Sequence, residues 1–255
     1  MKTVRGGSLL FMLVLLLGCR EASLPVEPID FGWFPLEEGR SWTYRVDSML
    51  VRRLNNQVVR DSAFFYWQFT LGKALDTLDG GGHYFPLFRS RAGQPEGPWV
   101  PDGTLQYSLE ANRAIRVEDN LPFTVLIFPP GLDKDWDGHR GFDSERTIRI
   151  AGEEIRPFRD WQYRYTDLWD KVKMGDQVYE EVWRVEQADL EDILRLRRAE
   201  EWYARNVGLI FRQWEILDTQ CEICCAGILD SCRDVPWSEK TELGFTLKMQ
   251  LIDHQ

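Results

Sequence analysis

The stretch Ser41-Trp42-Thr43-Tyr44-Arg45-Val46-Asp47 decides the fold class. Trp42, Tyr44 and Val46 alternate with Thr43, Arg45 and Asp47, and a period of two places apolar groups on one face of an extended chain. That is the pattern of a half-buried strand. Asn55-Asn56 then marks a turn, and Phe65, Trp67, Phe69 and Leu71 line one face of a second strand whose other face carries Phe64 and Tyr66. The two runs predict a hairpin.

Working outward, Gly80-Gly81-Gly82 opens a turn before a strand over His83 to Arg91, Gly93 to Gly103 is loop, and Thr104 to Arg116 returns as strand. Further strands are predicted at Phe123 to Phe128, Arg146 to Ile150, Trp161 to Thr166, Gln177 to Glu186, Leu209 to Leu217 and Phe245 to Ile252. One segment fits two periods. Leu190, Ile193, Leu194 and Arg197 have helical spacing after Asp189 as an N-cap, whereas Leu194, Leu196 and Glu200 to Tyr203 fit a strand turning at Arg205 to Gly208. The strand reading is preferred. With 11 Trp, 14 Phe and 8 Tyr there is bulk for a large core. Short strands separated by turn signals predict an all-β fold, an antiparallel curved sheet or partly open β-barrel with at most one or two short helices. Residues 31–255 are expected to form a single domain containing a cysteine loop over 221–232.

The first nineteen residues are of another kind. Lys2 and Arg5 precede an unbroken apolar run from Leu9 to Leu17, and Leu16-Leu17-Gly18-Cys19 resembles the lipobox of bacterial lipoproteins. The run is too short for a hydrocarbon core that needs about 20 residues, so residues 1–18 read as a removed signal. The Cys19 thiol would carry the lipid, and residues 19–30, with Pro25 and Pro28, would form the tether. Removing 1–18 takes away two positive charges and no acid, so the formal charge of −10 moves to −12. An acidic surface argues against nucleic acid and anionic headgroups as partners. Arg20 follows the cysteine, where lipoproteins kept at the inner membrane of Gram-negative cells carry Asp, so in a Gram-negative cell the outer membrane is expected, with the domain facing the periplasm.

The chain resembles a family of uncharacterised bacterial envelope lipoproteins. The resemblance is carried by Phe34-Pro35-Leu36 with Gly39, Trp42, Tyr44 and Val46, by Ile115-Arg116 with Glu118 to Asn120, by Phe128-Pro129-Pro130 with Trp136-Asp137-Gly138, and by Tyr203-Ala204 with Val207-Gly208-Leu209. It implies a location and extends over most of the mature chain. These positions look like packing and turn residues, and the family brings no catalytic positions.

Cys221, Cys224, Cys225 and Cys232 form the densest constellation of reactive side chains. An even number of thiols outside the cytoplasm implies disulfides, with three connectivities available to four cysteines. Neighbouring Cys224 and Cys225 would pair only with strain, so each is expected to join Cys221 or Cys232. A four-thiolate zinc site is the alternative. Cys221-x2-Cys224 supplies half of the usual spacing, and the gap to Cys232 does not repeat it. Asp133-x-Asp135-x-Asp137-Gly138 has the spacing of a calcium loop, where alternate carboxylates converge on a hard cation, but the closing position is Ser144 and Glu145 is one residue late. The bland alternative is an acidic turn, and no cofactor is otherwise expected.

Catalysis finds little support. His83, His139 and His254 are the only histidines, and none sits in a metalloprotease motif or beside an obvious nucleophile. The doublets Glu153-Glu154, Glu180-Glu181 and Glu200-Glu201 read as solvated strand faces. Trp67, Trp99, Trp161, Trp183 and Trp214 admit a ligand-binding surface, with core packing as the simpler account. The expected function is therefore a non-catalytic, membrane-anchored envelope domain holding an apolar or lipid ligand in its concave face. An adaptor subunit of an outer-membrane complex is the first alternative and a hydrolase the second.

Overall fold

The computed structural model describes residues 28–77, 82–150 and 152–255. In chain order the strands are β1 (Ser41–Leu54), β2 (Gln57–Leu71), β3 (Leu75–Asp76), β4 (His83–Ala92), β5 (Val100–Glu110), β6 (Arg113–Glu118), β7 (Leu121–Ile127), β8 (Asp135–Trp136), β9 (Ile148–Ile150), β10 (Glu153–Ile155), β11 (Tyr163–Met174), β12 (Gln177–Glu191), β13 (Arg195–Ala204) and β14 (Gly208–Asp218). Three single-turn helices follow, α1 (Glu222–Cys225), α2 (Leu229–Cys232) and α3 (Trp237–Lys240), before β15 (Leu243–His254). At most one or two short helices are expected from the sequence and the described residues form three, two of them in the cysteine loop and the third just after it. Cys19 and the predicted signal and tether up to residue 27 lie outside the described residues, as do Gly80 and Gly81.

Thirteen strands form one antiparallel sheet in the order β7-β6-β5-β4-β2-β1-β15-β14-β13-β12-β11-β8, with β3 on β4, and β9 and β10 make a separate ribbon. The predicted first hairpin sets the register: Trp42 faces Phe69, Tyr44 faces Trp67 and Val46 faces Phe65, so the alternating aromatic rows share one face. Asn55 and Asn56 turn it with φ of 49° and 59°, the left-handed pair that a two-residue hairpin requires. The run Thr104 to Arg116 is divided, because Ala111 takes a φ of 52° and the chain reverses into β6. Asp189 to Ala204 forms strands, β12 ending and β13 beginning around a turn in which Asp192 Oδ1 accepts the N–H groups of Leu194 and Arg195, each at 2.8 Å.

The sheet curls into a nearly closed barrel. Its two ends meet at a seam where Thr124 N–H donates to Gly138 O at 2.9 Å and Trp136 Nε1 donates to Thr124 O at 2.8 Å. The Tyr165 hydroxyl donates to Ile127 O at 2.7 Å and accepts the Ile127 N–H at 3.2 Å. A barrel closed in this way leaves little unpaired edge for another chain to join. Gly138 is needed here, since a Cβ at that position would lie 2.5 Å from the Tyr163 ring.

Aromatic plugs fill both mouths. Beneath the turns at Ala111 and Asn206, Phe34 packs on Tyr107 with ring centres 4.6 Å apart, Phe31 packs on Phe128 at 4.8 Å, and Trp33 Nε1 donates to Glu181 O. At the other mouth the segment between β8 and β11 folds inward. Phe142, Phe158, Trp161 and Tyr163 surround His139 at 4.9 to 5.4 Å between ring centres. Full burial of each large apolar side chain contributes roughly 1.5–3 kcal/mol, which makes these plugs a main source of stability.

Candidate functional site

Between the two plugs lies a layer of charge. Its members sit at inward positions of the period-two pattern: Arg116 and Glu118 on β6, Glu201 and Tyr203 on β13, and Arg212 on β14 between Ile210 and Trp214. Arg116 Nη2 donates to Glu201 Oε1 at 2.8 Å, and Arg212 Nε lies 2.7 Å from the same oxygen. Glu118 Oε2 bridges Arg212 Nη1 and Arg116 Nε, each at 3.2 Å, the latter without hydrogen-bond alignment. The Tyr203 hydroxyl donates to Glu201 Oε2 at 2.5 Å. Both arginines and Glu201 are at most 3% exposed.

Isolated charges at this depth would be very costly, so mutual pairing is a condition of the fold. Burial by itself would raise the Glu201 carboxyl, but the Arg116 and Arg212 guanidiniums outweigh it and hold its pKa below the usual carboxylate range. Glu118 is lowered against its own burial by Arg212, Arg116 and Arg89. Burial and then the Glu201 charge push the Tyr203 hydroxyl well above its ordinary value. Two guanidiniums therefore balance two carboxylates. Neither carboxyl carries a proton to give near neutral pH, and neither is free to take one. A glycosidase-type pair would need its two members pushed in opposite directions.

The network continues outward through Arg89, which pairs with Asp102 at 2.8 Å and stacks over Trp67 at 4.5 Å, while Trp67 Nε1 donates to Asp102 at 3.0 Å. Arg91 lies over the Phe65 ring at 3.8 Å. On the other side, a small cavity touched by Phe34, Tyr44, Tyr107, Tyr203, Arg212 and Met249 measures about 20 Å³, room for about one water molecule.

The sequence-predicted sites are distributed differently. Cys221 bonds Cys232, while Cys224 and Cys225 are free thiols, so the expected pairing of each with an outer cysteine is replaced by a bond between the outer two. The intervening single-turn helices bring the ends of this segment together. Asp133, Asp135 and Asp137 do not converge as calcium ligands. Asp137 Oδ1 accepts the His139 N–H at 2.9 Å, Asp135 Oδ2 accepts from Gln162 at 2.7 Å, and Asp133 is a turn residue with φ of 59°. The left-handed turn at Asp133 and the separate partners of Asp135 and Asp137 keep the three carboxylates from closing on one point. Trp161, Trp183 and Trp214 are core residues, and Trp67 is half-buried.

The charge layer is what sequence reasoning missed. Glu201 was read as solvated beside Glu200, yet the alternation Ala199, Glu201, Tyr203 already placed it on the inward face, as Ile210, Arg212, Trp214 did for Arg212. Arg116 and Glu118, expected as packing or turn residues, pack through their charges.

The sequence matches no protein-family model and no curated protein. Two solved structures are similar over most of its length. One is a candidate lipoprotein from Parabacteroides distasonis ATCC 8503, with 9% identity, a TM-score of 0.39 and coverage of 88% of this chain and 98% of that one. The other is a candidate exported protein with a YmcC-like fold from Bacteroides fragilis NCTC 9343, with 11% identity, a TM-score of 0.41 and coverage of 87% and 98%.

Proposed function

We propose that this protein is a lipid-anchored envelope protein whose β domain is non-catalytic and serves as an adaptor, offering its outer surface to another envelope protein. The filled interior carries this reading. Both mouths are plugged among the described residues, and the cavity beneath the Phe34 plug measures about 20 Å³, against the several hundred Å³ that a carrier of an apolar or lipid ligand uses. The paired carboxylates argue equally against a hydrolase. Recognition is thereby left to the outside. There Phe64 is 57% exposed beside a solvent-open trough of about 540 Å³ that crosses β2, β1, β15 and β14 and is lined by Met49 and Leu247 together with Asp47, Gln213, Glu215 and Lys248. An exposed aromatic next to an open trough of mixed apolar and charged lining suits a protein contact.

Anchoring rests on the Cys19 lipobox, and the acyl chains on that residue would hold the domain at the outer membrane. The test has two parts. Cys19→Ala is expected to move the protein from the membrane fraction to the soluble fraction of the envelope. A photo-crosslinking side chain at position 64 is expected to give one discrete protein adduct in cells, and the same group at Val178, exposed at the β11–β12 turn, to give none. Adducts to lipid alone, or no adduct at position 64, would defeat the adaptor reading.

A further inference from the structure

The four cysteines of residues 221–232 meet at one point, and the Cys221–Cys232 bond uses only part of what is gathered there. Cys224 Sγ lies 3.8 Å from Cys232 Sγ. Cys225 Sγ lies within 4.8 Å of both, and among the described residues these three form the one cluster of sulfur, imidazole or carboxylate ligands so close together. Cys221 Sγ is bonded to Cys232 Sγ and so belongs to the same cluster. We infer that, in the fully reduced chain, Cys221, Cys224, Cys225 and Cys232 form a tetrahedral four-thiolate site for a borderline-soft d¹⁰ divalent cation such as Zn²⁺.

Geometry supports this first. A Zn–S bond is about 2.3 Å, so sulfurs at the corners of a tetrahedron sit about 3.8 Å apart. The Cys224–Cys232 separation has that value already. Cys225 needs a small approach, and Cys221 must open from its bond to Cys232 to the same edge length.

The loop is held by contacts other than the disulfide. Glu242 is 1% exposed and accepts the N–H groups of Gln220 and Ile223 at 2.8 Å each, and it pairs with Arg53. Cys221 O accepts the Gly227 N–H at 2.8 Å, and Cys225 O accepts the Ile228 N–H at 2.9 Å. Those bonds fix the path of the chain around the sulfurs, so breaking the S–S bond need not disperse them. Exposure of Cys224 leaves the cation a way in.

Opening the Cys221–Cys232 bond takes two electrons and two protons from a dithiol or phosphine reductant, which is itself oxidised, and the metal-binding step that follows transfers no electrons. Four thiols give up four protons and bind one dication, leaving a dianionic site; in the disulfide state two of the sulfurs are bonded to each other and the site is closed. Metal and disulfide are thus alternative occupants of one loop.

The experiment uses the full chain in detergent with Cys19→Ala, so that only these four thiols remain of the five cysteines. After anaerobic reduction with a phosphine and its removal, the chain is titrated with Co²⁺ as a spectroscopic probe and then with Zn²⁺. Thiolate-to-cobalt charge transfer and tetrahedral d–d bands are expected to saturate at one equivalent, to vanish on adding Zn²⁺, and to be absent from the oxidised chain. Cys224→Ser is expected to lose the four-sulfur spectrum. Should that variant misfold, alkylation of the unsubstituted cysteines decides, since Zn²⁺ must protect all four. Absence of bands from a reduced chain that keeps its β-sheet circular dichroism would overturn the site, as would alkylation unchanged by Zn²⁺.

Discussion

Arg116 and Glu201 are 85 positions apart in the chain and meet in the barrel interior, Nη2 to Oε1 at 2.8 Å, with neither side chain more than 1% exposed. The contact joins β6 to β13 across the barrel, between strands that are not neighbours in the sheet. A hydrogen-bonded charge pair there ties opposite walls together, which strand pairing alone does not do.

Removing one member leaves the others charged and unpaired. Arg116→Met is expected to destabilise the domain by about 3–5 kcal/mol, and the double variant Arg116→Met with Glu201→Leu to recover part of that loss. Urea unfolding followed by tryptophan fluorescence measures both. Additive losses would mean that the pair does not act as a unit.

Acid should weaken the fold in two stages. Burial holds His139 neutral, moving its pKa from 6.5 to about 4, so its contribution is complete above pH 6.5 and is lost as pH falls from 6.5 towards 4. Glu118 and Glu201 lie below their ordinary 4.5, so the stability they add is present above that value and disappears as pH drops beneath it. Unfolding measured between pH 7 and 4.5 is expected to show a slope that His139→Phe flattens. An unchanged slope in that variant would remove His139 as the cause.

One hydroxyl supplies two of the hydrogen bonds across the seam. Tyr165→Phe deletes a donor to Ile127 O and an acceptor for Ile127 N–H, at a cost of roughly 1–3 kcal/mol for groups left without partners. Hydrogen exchange at the Ile127 amide should accelerate while amides of the β1–β2 hairpin stay protected, because only the closure is loosened.

Alkylation without reduction should label Cys224 and Cys225 and leave Cys221 linked to Cys232, as peptide mapping by mass would display. Closing a loop of sequence separation 11 restricts the unfolded chain, so Cys221→Ala with Cys232→Ala is expected to cost about 3 kcal/mol in the oxidised protein. Recovery of a Cys221–Cys224 or Cys225–Cys232 peptide would contradict this pairing.

Period-two alternation at Trp42, Tyr44 and Val46 and at Phe65, Trp67 and Phe69 was sufficient for the hairpin and the all-β class, because a strand face is a local property of the chain. The turn at Asn55-Asn56 was legible for the same reason: positive φ is a demand of a single residue. Asp189 to Ala204 was harder, since both periods fit a short run, and pairing of β12 with β13 resolved it. Convergence is of another order. That Asp133, Asp135 and Asp137 turn apart, that Cys221 finds Cys232, and that Glu201 on β13 meets Arg116 on β6 all depend on how far the sheet curls and where its ends meet. Those distances are set by the summed twist and packing of all the strands, so local pattern specified which residues face inward and tertiary structure alone chose their partners.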